Sequence, residues 1–514
     1  MARALPAWLS GYRREWLRAD VVAGLVIWSV VVPQAVAYAQ IAGLPPQAGL
    51  MAAPGALIAY ALLGTSRSLV VSATTATSAL SAATIGPLAG SDAAKFAVLS
   101  AALALVTGVV LVIGGALRLG AISDFVSTPV MTGMLFGLGL TIMAGQLPKA
   151  LGLEDGSGTF FPRVWDIVSH LGDAHALTVI VGAASVAGLV LFRRLPIPAT
   201  LLVLVAAIVV SAALGLPGHG VAVVGKIPAG LPDFAWPSLN GTELQTLLPA
   251  AFGVLILSTE AVGVSRALAD KHGYQVDPNR DLSAMGVSNV VAGLSSGFVQ
   301  SGGASQTAAA DDAGGRTQLA TLITAALVLL TGAFLAPLFR DLPEATLAAI
   351  VIVAVASFLR VGELRRFARV RRSAIVLALL AVAGVLLLGV LRGLLVAAAL
   401  SLFLVIRRLS RPPVTVVARA PLRVRVEGGL FYANAVAVKD RIVALADGQP
   451  VEVDLGSSWE LDVQAADMLR DLSQRVPLRL VDVEPAAAAL LARAGLGALL
   501  DQNGENAADG SASG

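Results

Sequence analysis

Two apolar runs in this sequence lose their apolar character halfway. Residues 64–78 and 295–307 are rich in Ser, Thr, Gly and Ala, and each lies among long hydrophobic stretches, one in each half of the hydrophobic region. Backbone at membrane depth leaves the helix only where protein or a wet cavity satisfies its polar groups. Interrupted segments at corresponding positions of two halves are a pointer to a transporter's binding site. The pair therefore constrains both the architecture and the place where a ligand would sit.

The composition supports the membrane half of that inference. Of 514 residues, 56% are hydrophobic and 13% charged, with a mean hydropathy of +0.81; a soluble domain carries about 25% charged residues. The net charge is only +3, and the Arg residues sit in short loops between apolar runs, as membrane proteins place them. The basic balance is thus no nucleic-acid signal. Cys is absent, which excludes disulfides, thiol catalysis and Cys-based metal sites. The four His (His170, His175, His219 and His272) all fall in polar segments, against a His-based metal site or an intramembrane His relay. Gly-rich phosphate loops, catalytic triads and paired catalytic carboxylates are missing, so neither an enzyme nor a cofactor is expected. Arg13, Arg14 and Arg18 precede a run long enough to span, which reads as a first transmembrane helix and not a cleaved signal.

At roughly 20 apolar residues per span, the hydrophobic region divides into fourteen segments: 20–41, 47–63, 68–84 (broken), 94–116, 122–145, 174–192, 197–215, 245–268, 281–296, 298–310 (broken), 316–338, 343–359, 373–389 and 391–407. With a cytoplasmic N-terminus, the inside loops hold fourteen Lys and Arg and the outside loops six, the bias of cytoplasmic loops. An even number of spans returns the C-terminus to the cytoplasm. The basic run 365–372 reads as an anchor at the anionic inner leaflet. Beyond Arg411-Pro412-Pro413 the pattern changes. A transport domain is expected over 1–411. A small α/β domain is expected over 413–500, with strands at 414–417, 422–426, 451–455 and 478–483 alternating with helices at 433–446, 463–474 and 485–494. A disordered, Gly-, Ser-, Asn- and Asp-rich tail is expected over 501–514.

Glu260 is the charge set deep inside an apolar span, in Ser258-Thr259-Glu260-Ala261. An ionisable group there marks function by default: a proton or cation site, or an anchor for a broken helix. The other reading is a protonated Glu bonded to unwound backbone. A proton carrier must be protonatable near neutral pH, and no intramembrane His competes for the role. The two broken segments are expected to restart as helices near Thr74–Thr75 and Ala304–Ser305. A helix beginning at mid-membrane presents free N–H groups and the positive end of its dipole, a ready anion site. The hydroxyls of Ser72, Thr74, Ser301, Ser305 and Thr307 are candidate further donors; the alternative is that they serve close helix packing. Pro33 removes a donor from the first span and breaks its ladder. Gln34 and Tyr38 lie one turn apart on one face, as a cavity wall or as interhelical hydrogen bonds.

Residues 32–50 (VPQAVAYAQIAGLPPQAGL) resemble the first-span signature of the sulfate permease family. Gly64-Thr65-Ser66-Arg67, Gly314-Gly315-Arg316-Thr317-Gln318-Leu319 and residues 342–351 (LPEATLAAIV) are similar to its later motifs, and the C-terminal region resembles the attached STAS domain (sulfate transporter and anti-sigma factor antagonist). The resemblance covers nearly the whole chain. It implies seven-plus-seven inverted repeats, as in nucleobase transporters, with a core domain moving against a gate domain in an elevator-like cycle. It also implies that the third and tenth segments are half helices facing the anion, that Glu260 occupies the acidic position tied to proton or cation coupling, and that the protein dimerises. Two departures stand out. Ser305-Gln306 replaces the Ser-Arg pair of animal exchangers and prestin, which favours cation-coupled uptake over exchange. Asp462-Val463-Gln464-Ala465 lacks the hydroxyl of the phosphorylatable STAS loop, so phosphoswitching is not expected.

The resulting expectation is a transporter carrying a small anion, sulfate or dicarboxylate-like, inward with protons across a bacterial plasma membrane. Gln34, Tyr38, Thr74, Thr75, Ser301, Ala304, Ser305 and Gln306 would bind the anion and Glu260 would couple the proton. The competing readings are a sodium-coupled bicarbonate transporter of the same family, a nucleobase transporter of the same fold, and a membrane scaffold or sensor signalling through the STAS region.

Overall fold

The computed structural model describes residues 6, 8–90, 92–120, 127–154, 158–195, 198–227, 230, 234–237 and 240–500. The tail expected at 501–514 lies outside them, as does the start of the segment expected at 122–145. Contacts divide the chain into two units, Met1–Ala399 and Leu400–Gly514.

The first unit is helical. Leu17–Ile41 (α1) and Gln47–Leu63 (α2) lead to a two-residue strand, Val71–Ser72 (β1), and a short helix, Thr75–Ala89 (α3). Ala93–Ala116 (α4), Thr128–Leu151 (α5), Phe160–Ser169 (α6), Ala176–Leu191 (α7) and Ala199–Leu214 (α8) follow. The order helix, helix, two-residue strand, short helix then recurs as Gly241–His272 (α9), Pro278–Leu294 (α10), Ser301–Gly302 (β2) and Ala304–Asp312 (α11). Leu319–Leu330 (α12), Glu344–Val355 (α13), Val361–Val370 (α14) and Arg372–Leu388 (α15) follow, and Val390–Leu409 (α16) begins in this unit and ends in the second. Among the described residues, six helices are long and apolar enough to cross a bilayer, and five shorter apolar helices accompany them.

Small residues let these helices meet at backbone distance, as apolar surface alone cannot drive association in lipid. A Cβ on Gly108 of α4 would stand 2.7 Å from the Gly286 carbonyl of α10, and one on Gly286 would stand 2.7 Å from the Gly108 carbonyl.

Three local features depart from the sequence reading. α1 runs unbroken through Pro33. The segment expected at 316–338 is regular only to Leu330; it widens into a π-helical turn over Thr331–Leu335 and tightens over Ala336–Asp341. Pro337, which has no N–H and crowds the carbonyl one turn back, accounts for the change. α6 and α14 are amphipathic helices too short for a span, each burying a single side chain, Ile167 and Phe367.

In the second unit, Val414–Arg419 (β3), Leu422–Val426 (β4), Val451–Asp454 (β5) and Leu478–Val481 (β6) form one sheet in that order. β3 and β4 are antiparallel, and β4–β5 and β5–β6 parallel. Ala435–Ala446 (α17) and Val463–Arg475 (α18) make the two crossovers that parallel pairs require, and Pro485–Arg493 (α19) follows β6. Along β4, buried Leu422, Val424 and Val426 alternate with Arg423 and Arg425. Asp462 caps α18, accepting from the Ala465 N–H at 2.7 Å, and also accepts from the Tyr432 N–H at 2.9 Å.

Candidate functional site

β1 and β2 pair antiparallel, Val71 opposite Gly302 and Ser72 opposite Ser301. The Gly303 N–H extends the ladder, donating to the Val70 carbonyl at 2.9 Å. α3 starts three residues after Ser72 and α11 two after Gly302, so the ladder holds the two helix N-termini together. The close fit explains the glycines. A Cβ on Gly302 would sit 2.5 Å from Ala261 Cβ of α9, and one on Gly303 only 1.7 Å from Gln306 Oε1.

The two N-termini differ. Thr74 caps α3, accepting from the Thr77 N–H at 3.4 Å, and the two hydroxyls lie 2.9 Å apart. α11 begins at Ala304 behind Gly303, which offers no side-chain cap, leaving its first N–H groups for whatever occupies the space ahead. That space is a cavity of about 80 Å³, room for a small ion or a few waters. Tyr38, Thr74, Thr75, Glu260, Ser301, Ala304, Ser305 and Gln306 all line it.

Gln34 stands behind the cavity. Gln306 Nε2 donates to Gln34 Oε1 at 2.7 Å and to the Ala73 carbonyl at 3.3 Å. The Ala73 oxygen can only accept, which fixes which end of the Gln306 amide faces it. Gln34 Nε2 in turn reaches Ser305 Oγ at 3.5 Å, so Ser305 accepts and its own hydrogen remains to be donated. The amide donors of Gln306 are thus engaged by protein. Ser72 and Thr307 belong to the scaffold and not to the lining: Ser72 lies in the ladder, and Thr307 Oγ1 accepts from the Val70 N–H at 3.0 Å.

Glu260 is half-buried at the cavity and has no hydrogen-bonded side-chain or backbone partner among the described residues. Arg360, immediately before α14, is the cation whose charge reaches it. Ser258, two residues earlier on α9, faces Ser301 across 3.4 Å. Ser357 and Phe358, which the sequence did not single out, close another side of the cavity. No group of His, Asp or Glu suited to a metal ion occurs among the described residues.

Two further buried carboxylates brace the site's surroundings. Asp281 of α10 accepts from the Thr65 N–H at 2.7 Å, the Thr65 hydroxyl at 2.8 Å and the Ser265 hydroxyl at 2.9 Å. Asp20 of α1 accepts from the Arg316 and Thr317 N–H groups at 2.7 and 3.1 Å and the Thr317 hydroxyl at 2.7 Å. Gln318 joins the two loops, donating to the Ser66 and Leu69 carbonyls at 2.9 Å each. Both Asp residues are fully buried.

Residues 17–381 match the sulfate permease family. Over 489 residues the chain is 36% identical to a probable sulfate transporter of Mycobacterium tuberculosis, covering 90% of this chain and 87% of that one. Its structure is similar to that of the murine solute carrier 26 member A9 anion transporter in the inward-facing state, with a TM-score of 0.87 at 23% identity over 95% of this chain and 90% of that one. It is also similar to the transmembrane domain of BicA, a cyanobacterial bicarbonate transporter, with a TM-score of 0.68 at 23% identity over 77% of this chain and all of that one. At that identity the two structures speak for the shared fold.

Proposed function

The chain belongs to the sulfate permease family, a family of multi-pass membrane transporters, and on that premise we propose that it carries a small oxyanion inward together with protons. The observation that supports this most is the meeting of two helix N-termini, at Thr75 and Ala304, across a two-residue ladder at a cavity that also holds Glu260. The dipole ends and open N–H groups favour negative charge. The carboxylate beside them opposes it unless a proton or another cation arrives with the substrate. Coupling then follows from electrostatics: Glu260 accepts the proton, and the anion enters a site no longer facing a fixed negative charge.

We read the helical region as two inverted repeats of seven segments, the recurrence of helix, helix, strand and short helix marking their openings. The ladder would travel with its helices, favouring an elevator-like movement of a core domain against a gate domain. Residues 1–411 would form the transport domain and 413–500 a STAS domain with a regulatory or assembly role. Both termini would be cytoplasmic in a bacterial plasma membrane, and the protein a dimer.

The test is uptake of a panel of radiolabelled anions into proteoliposomes with and without an imposed pH gradient. Sulfate or dicarboxylate uptake driven by an inward proton gradient is expected. Uptake that requires sodium, lost when a large organic cation replaces it, would instead favour sodium-coupled bicarbonate transport.

A further inference from the structure

A second and larger cavity, of about 960 Å³, opens farther along the same helices. Its walls include Gln40 of α1 and the small-residue face of α3 from Ala79 to Gly86. Thr84 stands about 14 Å up α3 from Thr75, at ~1.5 Å rise per residue. Three cations from three separate elements converge on it: Lys149 in the last turn of α5, Arg163 of α6 and Arg392 in the first turn of α16. Gly145 makes room for one of them; a Cβ there would lie 3.2 Å from Arg163 Nη1. No carboxylate lines the cavity among the described residues. Glu344 stands 3.8 Å from Lys149 Nζ, beyond hydrogen-bonding distance.

A cleft lined by one sign of charge between low-dielectric walls focuses its field and concentrates counter-ions. Gathering like charges there has a cost that a bound anion removes. We propose that this cavity is a second anion site, separate from the half-helix site, that takes a small hydrated oxyanion such as sulfate. In the orientation proposed above it faces the outside and would collect anions before they reach the α3 and α11 N-termini. That purpose rests on the transport reading, but occupancy of the cavity is measurable without transport.

The chain has no Cys, so Thr246→Cys, on the cavity wall, provides a single reporter thiol. In full-length protein in neutral detergent, its reaction with a sulfonate-bearing methanethiosulfonate is compared with that of the trimethylammonium reagent, each relative to free cysteine. The anionic reagent is expected to be favoured about tenfold, and excess sulfate to slow it. The preference is expected to vanish in Arg163→Gln/Arg392→Gln and to return in Arg163→Lys/Arg392→Lys, which separates charge from folding. Equal rates, or a preference that survives neutralisation, would overturn the proposal. So would protection by phosphatidylglycerol but not by sulfate, which would assign the cavity to a lipid headgroup. Failure of proton-driven uptake with this labelling pattern intact would count against the transport reading alone.

Discussion

Gln306 donates from Nε2 to Oε1 of Gln34 across 2.7 Å, tying α11 to α1 directly behind the cavity. Gln306→Leu would leave the Gln34 oxygen and the Ala73 carbonyl without this donor in a dry setting, at about 1–3 kcal/mol per unsatisfied group. The expected result is a lower Tm in detergent together with weaker anion binding, read by thermal shift against anion concentration. A Tm and affinity equal to those of the parent protein would show that the bond holds nothing in place.

Glu260→Gln keeps the size of the side chain and removes its ability to ionise. Uptake in proteoliposomes is expected to lose its response to an imposed pH gradient, while anion binding in detergent is partly retained. Full pH dependence in this variant would remove Glu260 from coupling.

Gly303→Ala places a methyl where Gln306 Oε1 already stands, 1.7 Å away. Overpacking of this kind costs typically about 1–3 kcal/mol, and here it displaces the Gln306 side chain that lines the site. Loss of uptake is expected in protein that still purifies as a single species. Gly263→Ala on α9, where a Cβ meets nothing within 4 Å, is the control expected to transport normally.

Asp281 accepts three hydrogen bonds while fully buried. Asp281→Asn turns one acceptor into a donor facing donors, and a destabilisation of about 1–3 kcal/mol is expected. In a double-mutant cycle with Thr65→Val, the two effects should fall short of additivity, since both remove the same bond. Additive losses would mean that the loop holds itself in place.

The second unit has its own acid sensitivity. Burial alone would raise the Asp454 carboxyl, but hydrogen bonds from Arg425, the Gly456 N–H and Arg423 hold it below the usual carboxylate range. A group depressed in the folded state stabilises above its unfolded pKa of about 3.9, and that contribution disappears as pH falls through the folded value. Amide hydrogen exchange of β4 and β5 is therefore expected to accelerate below about pH 4. In Asp454→Asn this part of the pH response should be absent.

How much of this was legible beforehand varies with the physics of each element. α2 runs over Gln47–Leu63, and α3 and α11 begin at Thr75 and Ala304, where the sequence places them. An apolar run bounded by Pro and Gly, or interrupted by Ser, Thr and Gly, leaves few other boundaries. The sequence also isolates Glu260 among apolar neighbours. It could not show what Asp20 and Asp281 do. Each sits in the first turn of an apolar run and reads as an ordinary flanking charge, while Arg316, which donates to Asp20, and Thr65, which donates to Asp281, lie 296 and 216 residues away along the chain. α6 escaped because a window sized for a span averages over a ten-residue amphipathic helix, and of α14 only the basic stretch from Arg365 was read. The engagement of Gln306 by Gln34 and Ala73 required knowing which helices are neighbours.

The ladder between β1 and β2 has a consequence for how such a chain comes to exist at all. Each strand is two residues long, and each finds its partner only in the other half of the chain. Neither half can assemble the site from its own residues. Were the chain cut between α8 and α9 and the fragments produced together, each would remain without a ligand pocket until it met its complement. Assembly and function would then begin in the same event.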